Sequence, residues 1–318
     1  MKKTPHDDAP DLCVHPTKDA NQQAASLVNW QQEYDQLSGG CFRGQIRERR
    51  FKNIHVFRED SNRILKQHCR VDEGGVWIGL SADDQLAHLN HQRADAEQVL
   101  IQTGGQDFEL LTPEAFSIYG LVFHNSENNA YLNTQRPSTK CISQGFKSLP
   151  TREIEHLKAY LRILLSNKPT KWSCKTHEVI LTDLLLDLVD CNTSSMEIAI
   201  NPSHRQKIMT RVLEQVEAMD PSCPITIGEL SQSVHVSRRT LQYVFEACCD
   251  LSPKQFLLNI RLNQVRRMLQ NSELDKTISE IAFAFGFFHL SQFSRLYKNL
   301  FGESPSETRQ IFRGKYIV

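Results

Sequence analysis

TISEIAFAFGFFHLSQFSRLYKNLFGESPSETR, residues 277–309, spells out a short helix, a tight turn and a longer helix in succession. Thr277 stands three residues before Glu280, the spacing at which each side chain caps the other's backbone N–H at a helix start. Ile278, Ile281 and Phe285 share one helical face, Gly286 is free to take the left-handed conformation of a sharp bend, and a second helix opens near His289. The same order occurs once before. Thr226-Ile227-Gly228-Glu229-Leu230 matches Thr277-Ile278-Ser279-Glu280-Ile281, and Leu251-Ser252-Pro253 matches Glu303-Ser304-Pro305. The copies lie 51 residues apart at their start and 52 at their close, so the second has one extra residue in its turn. In the first copy the turn is SVHV and Ser237 caps the next helix, Arg238 to Cys249. Ile227, Leu230, Val234, Leu241, Val244 and Phe245 are expected to hold the first helix pair together. Ile278, Ile281, Phe285, Phe287, Phe293 and Leu296 are expected to hold the second.

Each copy therefore reads as a helix-turn-helix, whose second helix presents an outward face able to enter a DNA major groove. In the first copy that face carries Arg238, Arg239, Gln242 and Tyr243; in the second it carries His289, Ser291, Gln292, Arg295 and Lys298. Arg suits guanine and Gln suits adenine, because each offers two hydrogen-bonding groups in the plane of a base edge. A solvated polar face would explain any one of these residues, but two repeated faces with Arg and Gln on each favour double-stranded DNA. The segment Pro253 to Gln270 reads as a connecting helix of roughly 25 Å, long enough to hold the two faces near the ~34 Å repeat of DNA.

Outward from this repeat, 318 residues suggest two domains. Residues 1–200 hold 22 Lys+Arg against 26 Asp+Glu and residues 201–318 hold 15 against 11, so only the second part is basic. Residues 1–26, polar and proline-containing, read as a disordered tail; residues 27–192 as a sensing and dimerisation domain; 193–205 as a linker; 206–318 as the DNA-binding domain. Trp30, Tyr34 and Leu37 fit one face of a short helix. Ile46–Phe57, Val76–Leu80, Gln98–Gln102 and Phe116–Phe123 read as strands of an antiparallel sheet or barrel. Ile154, Leu157, Leu161 and Leu164 mark a helix, and Val179–Val189 a second one, apolar on more than one face, whose spare face suits a homodimer. The nine cysteines contain no CxxC pair, which argues against a zinc site and for reduced, mostly buried thiols. No apolar run suits a membrane span or a signal peptide, so a cytoplasmic location is expected.

The segment Ile225 to Arg309 resembles the DNA-binding domain of AraC/XylS-type transcription regulators, most strongly in residues 277–309 and nearly as well in VSRRTLQYVFEACCDLSPKQFLLNIRLNQVRRML, residues 236–269. The resemblance implies an α+β chain: a β-rich, cupin-like sensor domain followed by seven helices with two helix-turn-helix units. It places Arg239, Gln242, Tyr243, Ser291, Gln292 and Arg295 at base-reading positions. His289 departs from the Asp or Ser usual there, which puts that helix cap in doubt. It further implies RNA polymerase as a partner, activation under a small-molecule effector, and no required cofactor. Trp30–Leu37, Gly40–Gly44 and Val56–Glu59 are similar to ethanolamine-operon activators, which implies ethanolamine with adenosylcobalamin as the effector. Nothing among the scattered histidines of residues 1–200 marks a cobalamin site.

Other functions are weaker. A metal-dependent β-barrel enzyme needs an HxH with downstream Glu and His, which His55, His68, His88, His91 and His124 do not supply. A DNA-repair protein with this module needs four zinc-binding cysteines or a Pro-Cys-His-Arg nucleophile, and neither is present. A constitutive regulator whose N-terminal domain only dimerises differs from the main reading in having no effector.

Overall fold

The computed structural model describes residues 10–314 except 29, 84, 96, 125–143, 168–171, 190–203, 219, 221–222, 224 and 272. Two antiparallel sheets come first. One has the order β1 (Cys13–Thr17), β3 (Gly44–Arg50), β4 (Ile54–Ser61), β11 (Phe116–Phe123), β6 (Val76–Ser81), β9 (Gln98–Thr103), β12 (Gly145–Ser148). The other runs β2 (Trp30–Gln36), β5 (Leu65–Val71), β10 (Asp107–Thr112), β7 (His88–Leu89), β8 (Gln92–Arg93). Side chains alternate between the faces of a strand. On β4, Phe57 points between the sheets to join Trp77, Leu100, Phe108 and Val122, while Val56 points outward. The outer face of the larger sheet is covered by α2 (Thr151–Leu164) and α3 (Cys174–Val189) through Ile154, Leu157, Leu161, Leu181 and Leu188. Burial on both faces explains why β11, FSIYGLVF, is buried at every position and reads as an apolar run.

The stretch taken for a mobile tail is built into this domain from Cys13 onward. β1 pairs with β3, and α1 (Ala20–Ala24) follows, capped by Asp19 Oδ1 accepting from Gln22 N–H at 3.0 Å. Polar composition misled because the polar groups are buried with partners: Gln23 Nε2 donates to Glu59 Oε1 at 2.8 Å. Trp30–Leu37 is likewise β2 and not a helix. Residues four apart share a face in both periods, so Trp30 and Tyr34 fit a strand equally well, and Leu37 turns away to pack among C-terminal helices. Residues 1–9 of the expected tail and 193–203 of the expected linker lie outside the described residues, and His204 and Arg205 begin α4 (His204–Glu217). Of the thiols expected to be mostly buried, Cys69, Cys248 and Cys249 are buried but Cys13, Cys41 and Cys223 are exposed; Cys141 and Cys191 lie outside the described residues.

The C-terminal part continues with α5 (Ile227–Ser233), α6 (Arg238–Cys249), α7 (Pro253–Gln270), α8 (Ile278–Ala284), α9 (Leu290–Phe301) and α10 (Pro305–Gly314). Among the described residues no helix is long and apolar enough to cross a membrane. The helix α7 serves three sides. Phe256, Leu257 and Ile260 pack with α4, α5 and α6, whereas Leu262, Val265 and Leu269 pack with α8 and α9. Its polar side meets the N-terminal domain: Asn263 Nδ2 donates to Gln36 O and its Oδ1 accepts from Gln36 N–H, both at 2.9 Å, and Asn259 Nδ2 donates to Leu37 O at 2.6 Å. Arg266 Nε meets Asp19 Oδ2 at 2.7 Å, its Nη2 meets Glu303 Oε1 at 2.8 Å, and its Nη1 donates to Tyr297 Oη and Thr308 Oγ1, both at 3.2 Å. Burial works against the Arg266 charge, but Tyr297, Asp19 and Glu303 together hold its pKa above the ordinary value.

Asn263→Ala leaves the buried Gln36 N–H and C=O without partners. We expect it to lower the urea-unfolding free energy of the full chain by about 2–4 kcal/mol, as two unsatisfied buried groups imply. A loss under about 0.5 kcal/mol, no more than an exposed substitution gives, would show that this contact is dispensable.

Candidate nucleic-acid interface

Both capping boxes form. Thr226 Oγ1 accepts from Glu229 N–H and Thr277 Oγ1 from Glu280 N–H, each at 3.2 Å, while each glutamate reaches back to the threonine N–H at 2.8 and 2.7 Å. Hydrogen bonds from the threonine backbone and hydroxyl hold both carboxyls below their ordinary pKa. The turns that follow use one geometry with different residues. Gly286 takes φ 75° as expected, and in the first pair His235 takes φ 56°, a role not evident from its residue type. In each turn a backbone N–H reaches five residues back, Val236 to Ser231 O at 3.0 Å and Phe287 to Ala282 O at 2.9 Å.

Each pair then closes on its own core. Leu230, Val234, Leu241, Val244 and Phe245 are buried in the first, with Ile227 at the margin; Ile281, Phe287 and Phe293 are buried in the second, with Ile278, Phe285 and Leu296 at the margin. Ser237 caps α6 through Thr240 N–H at 3.0 Å. His289 occupies the same position before α9 but makes no side-chain cap hydrogen bond.

On α6, Arg239 and Tyr243 form a unit, with the guanidinium carbon 5.6 Å above the ring centroid and Nη2 donating to Tyr243 Oη at 3.1 Å. Gln242 is half-buried and donates to Glu246 Oε1 at 2.7 Å. Arg238 is exposed but lies back over α5, so close that a Cβ on Gly228 would stand 2.6 Å from its Nη2. On α9, His289, Ser291, Gln292, Arg295 and Lys298 are all exposed. Among the described residues Ser291, Gln292 and Arg295 make no side-chain hydrogen bond or ion pair. Each helix thus presents a contiguous polar face rich in donors, one with its groups pre-arranged and one with them open to solvent.

Two features of this surface escape sequence reasoning. Phe283 and Phe288 are 43% and 69% exposed and stack at 6.4 Å beside the start of α9, where the helical period gives no reason to expect an aromatic pair. The cations Arg266 and Arg267 of α7 face the N-terminal domain, Arg267 Nη1 meeting Asp35 Oδ1 at 2.6 Å. Their N-terminal partners Asp19, Glu33 and Asp35 are remote in sequence, so no local pattern shows where they point.

Thr277→Ala should cost about 1 kcal/mol of stability, as loss of an N-cap does. In the same variant the Glu280 pKa should rise only part of the way, because the hydroxyl is lost while the backbone N–H of residue 277, the larger cause, remains; carboxyl NMR titration reads the change. The folded-state pKa of Glu280 is depressed, so its contribution is present above the ordinary carboxylate pKa and fades as pH falls through the depressed value. No loss of stability together with an unchanged Glu280 titration would contradict the role given to the Thr277 hydroxyl.

Residues 230–311 match a family model described as a helix-turn-helix domain. The chain is 40% identical over 91 residues to the HTH-type transcriptional regulator ArgR of Pseudomonas aeruginosa, a match covering 29% of this chain and 27% of that protein. It is 27% identical over 139 residues to the XylDLEGF operon transcriptional activator 2 of Pseudomonas putida, covering 43% of this chain and 85% of the activator. A solved AraC-type DNA-binding domain protein from Chromobacterium violaceum is 33% identical, with a TM-score of 0.31 over 33% of this chain and 90% of its own. The chain spans about a quarter of the length of the first two curated relatives it matches.

Proposed function

We propose, from the premise that residues 230–311 are the helix-turn-helix domain of an AraC-type transcription regulator, that the whole chain regulates transcription by reading two successive major grooves. The observation that carries this is the repetition of one device: capping box, left-handed turn, and a helix with an exposed donor-rich face. The two units are joined by α7, whose 18 residues span roughly 27 Å. Arg239 and Gln242 read base edges in one groove and Gln292 and Arg295 in the next, with Tyr243 and Ser291 beside them; Arg238, His289 and Lys298 serve the phosphates. RNA polymerase is the partner expected of an activator that acts on DNA in the cytoplasm. In this reading a homodimer would form through α2 and α3, on which Ile163 and Val179 are exposed.

The two-sheet domain is the seat proposed for the effector. Trp30, Phe57, Trp77 and Phe108 meet between the sheets at centroid separations of 5.1–6.2 Å, and the indole N–H groups of Trp30 and Trp77 are buried without a partner. Buried donors left unpaired favour an acceptor-bearing ligand. Nearby, burial raises the pKa of Glu59, against the hydrogen bonds of Gln23 and Tyr34. Ethanolamine with adenosylcobalamin rests on the N-terminal resemblance alone. The segments that carry that resemblance have structural work to do, Trp30–Leu37 as β2 against α7 and Val56–Glu59 in a core strand.

Arg239→Ala and Arg295→Ala should each weaken binding to a selected operator by about 1–3 kcal/mol and leave scrambled duplex nearly unaffected. Lys298→Ala should weaken both equally and shallow the salt dependence by roughly one unit of slope. Anisotropy titrations at two salt concentrations read all three. If Arg295→Ala lowered operator and scrambled binding alike, α9 would be holding backbone and not reading sequence.

A further inference from the structure

The carboxyl end of α9 is closed by the other domain. A helix leaves its last carbonyls without intrahelical partners. Here Asn299 O accepts from Gly40 N–H at 3.1 Å, and Leu300 O accepts from Gly40 N–H at 2.9 Å and from Gln36 Nε2 at 2.6 Å. The backbones approach so closely that a Cβ on Gly39 would stand 2.9 Å from Asn299 O. Midway along α9, the Tyr297 hydroxyl is bonded to Arg266, which is itself bonded to Asp19. The second helix pair is therefore gripped at two points by residues 19–40.

The first pair is held by the same domain in another way. Leu37 and Leu111 lie within its apolar core, with Ile64 packed against them. Between the two grips, Asn259 and Asn263 of α7 are bonded to the backbone of Gln36 and Leu37. None of these contacts covers the outward faces: Arg239, Tyr243, Ser291, Gln292 and Arg295 remain exposed. The N-terminal domain does not block the DNA-facing side. What it fixes is the position of α9 relative to α6.

We propose that Asp19, Gln36 and Gly40 are positioning residues for DNA reading: from outside the DNA-binding domain they set the angle between α6 and α9 so that both helices seat in successive major grooves at once. The proposal rests on the two-groove reading and says how that reading is regulated. Any ligand that shifts α1 or β2 changes the alignment, because both carry residues bonded to Glu59 between the sheets, Gln23 at 2.8 Å and Tyr34 at 3.3 Å. Two linked modules gain from joint engagement only when their geometry lets both bind.

The test uses the full chain and a duplex that it selects from random sequence, with two half-operators in which one groove's sequence is scrambled. Gly39→Val wedges the loop away from Asn299, Gln36→Leu removes the donor to Leu300, and Asp19→Asn weakens the hold on Arg266. Urea unfolding of each variant shows that the chain still folds. We expect full-operator affinity to fall roughly tenfold or more while each half-operator changes less than about twofold, the mark of lost joint engagement. Equal losses on full and half operators would overturn the proposal in favour of a purely structural contact. Unchanged or tighter full-operator binding would overturn it too, the latter by making the grip inhibitory. If the unaltered chain bound full and half operators equally, the two-groove reading would fail and this proposal with it.

Discussion

The buried guanidinium of Arg266 ties the two halves of this molecule together. It meets Asp19 of the N-terminal domain, Glu303 after α9, the hydroxyls of Tyr297 and Thr308, and the ring of Phe301 4.5 Å away. A charge this deeply placed is tolerable only when its donors are matched, and breaking such a set by removing one partner costs about 3–5 kcal/mol. α1, α7, α9 and α10 are therefore coupled through this one side chain. The Tyr297 hydroxyl in the cluster is pushed up to about 12 by burial, so it remains a neutral donor and acceptor across the working pH range. Its bond to Thr308 at 3.0 Å carries the constraint into the last helix.

The N-terminal domain depends on double burial. The larger sheet has the aromatic interior on one side and α2 and α3 on the other, and polar groups inside are matched in the same way as Arg266. Burial would raise the carboxyl of Glu48, but hydrogen bonds from His55 at 2.6 Å and Arg50 at 2.8 Å hold it down at about 2. The indole N–H groups of Trp30 and Trp77 are exceptions to this matching, buried without a partner.

What the sequence made legible was local. Thr226 with Glu229, Thr277 with Glu280, and the spacing of Leu241, Val244 and Phe245 announce helix starts and faces within a few residues, and the repeat doubles each signal. The strands of the larger sheet were visible through β-branched runs such as Val76–Leu80. What was not legible depends on distant partners. Gln23 looks like part of a solvated tail until Glu59, 36 residues on, receives its amide, and Asp19 does so until Arg266, 247 residues on, meets it. Trp30 and Tyr34 fit either period, and only pairing with β5 selects the strand. Candidate base readers were found from outward positions alone, whereas Gln36 and Gly40 had no mark of their own, since a backbone N–H and one amide carry no pattern.

The central claim is that one chain presents two reading helices to one side of a duplex. Missing-base interference on a selected operator bound by the full chain tests it most directly. The account predicts two clusters of required bases about one helical turn, roughly 34 Å, apart. It also predicts that Arg239→Ala erases the requirement in one cluster and Arg295→Ala in the other. A single cluster lost equally in both variants would contradict it.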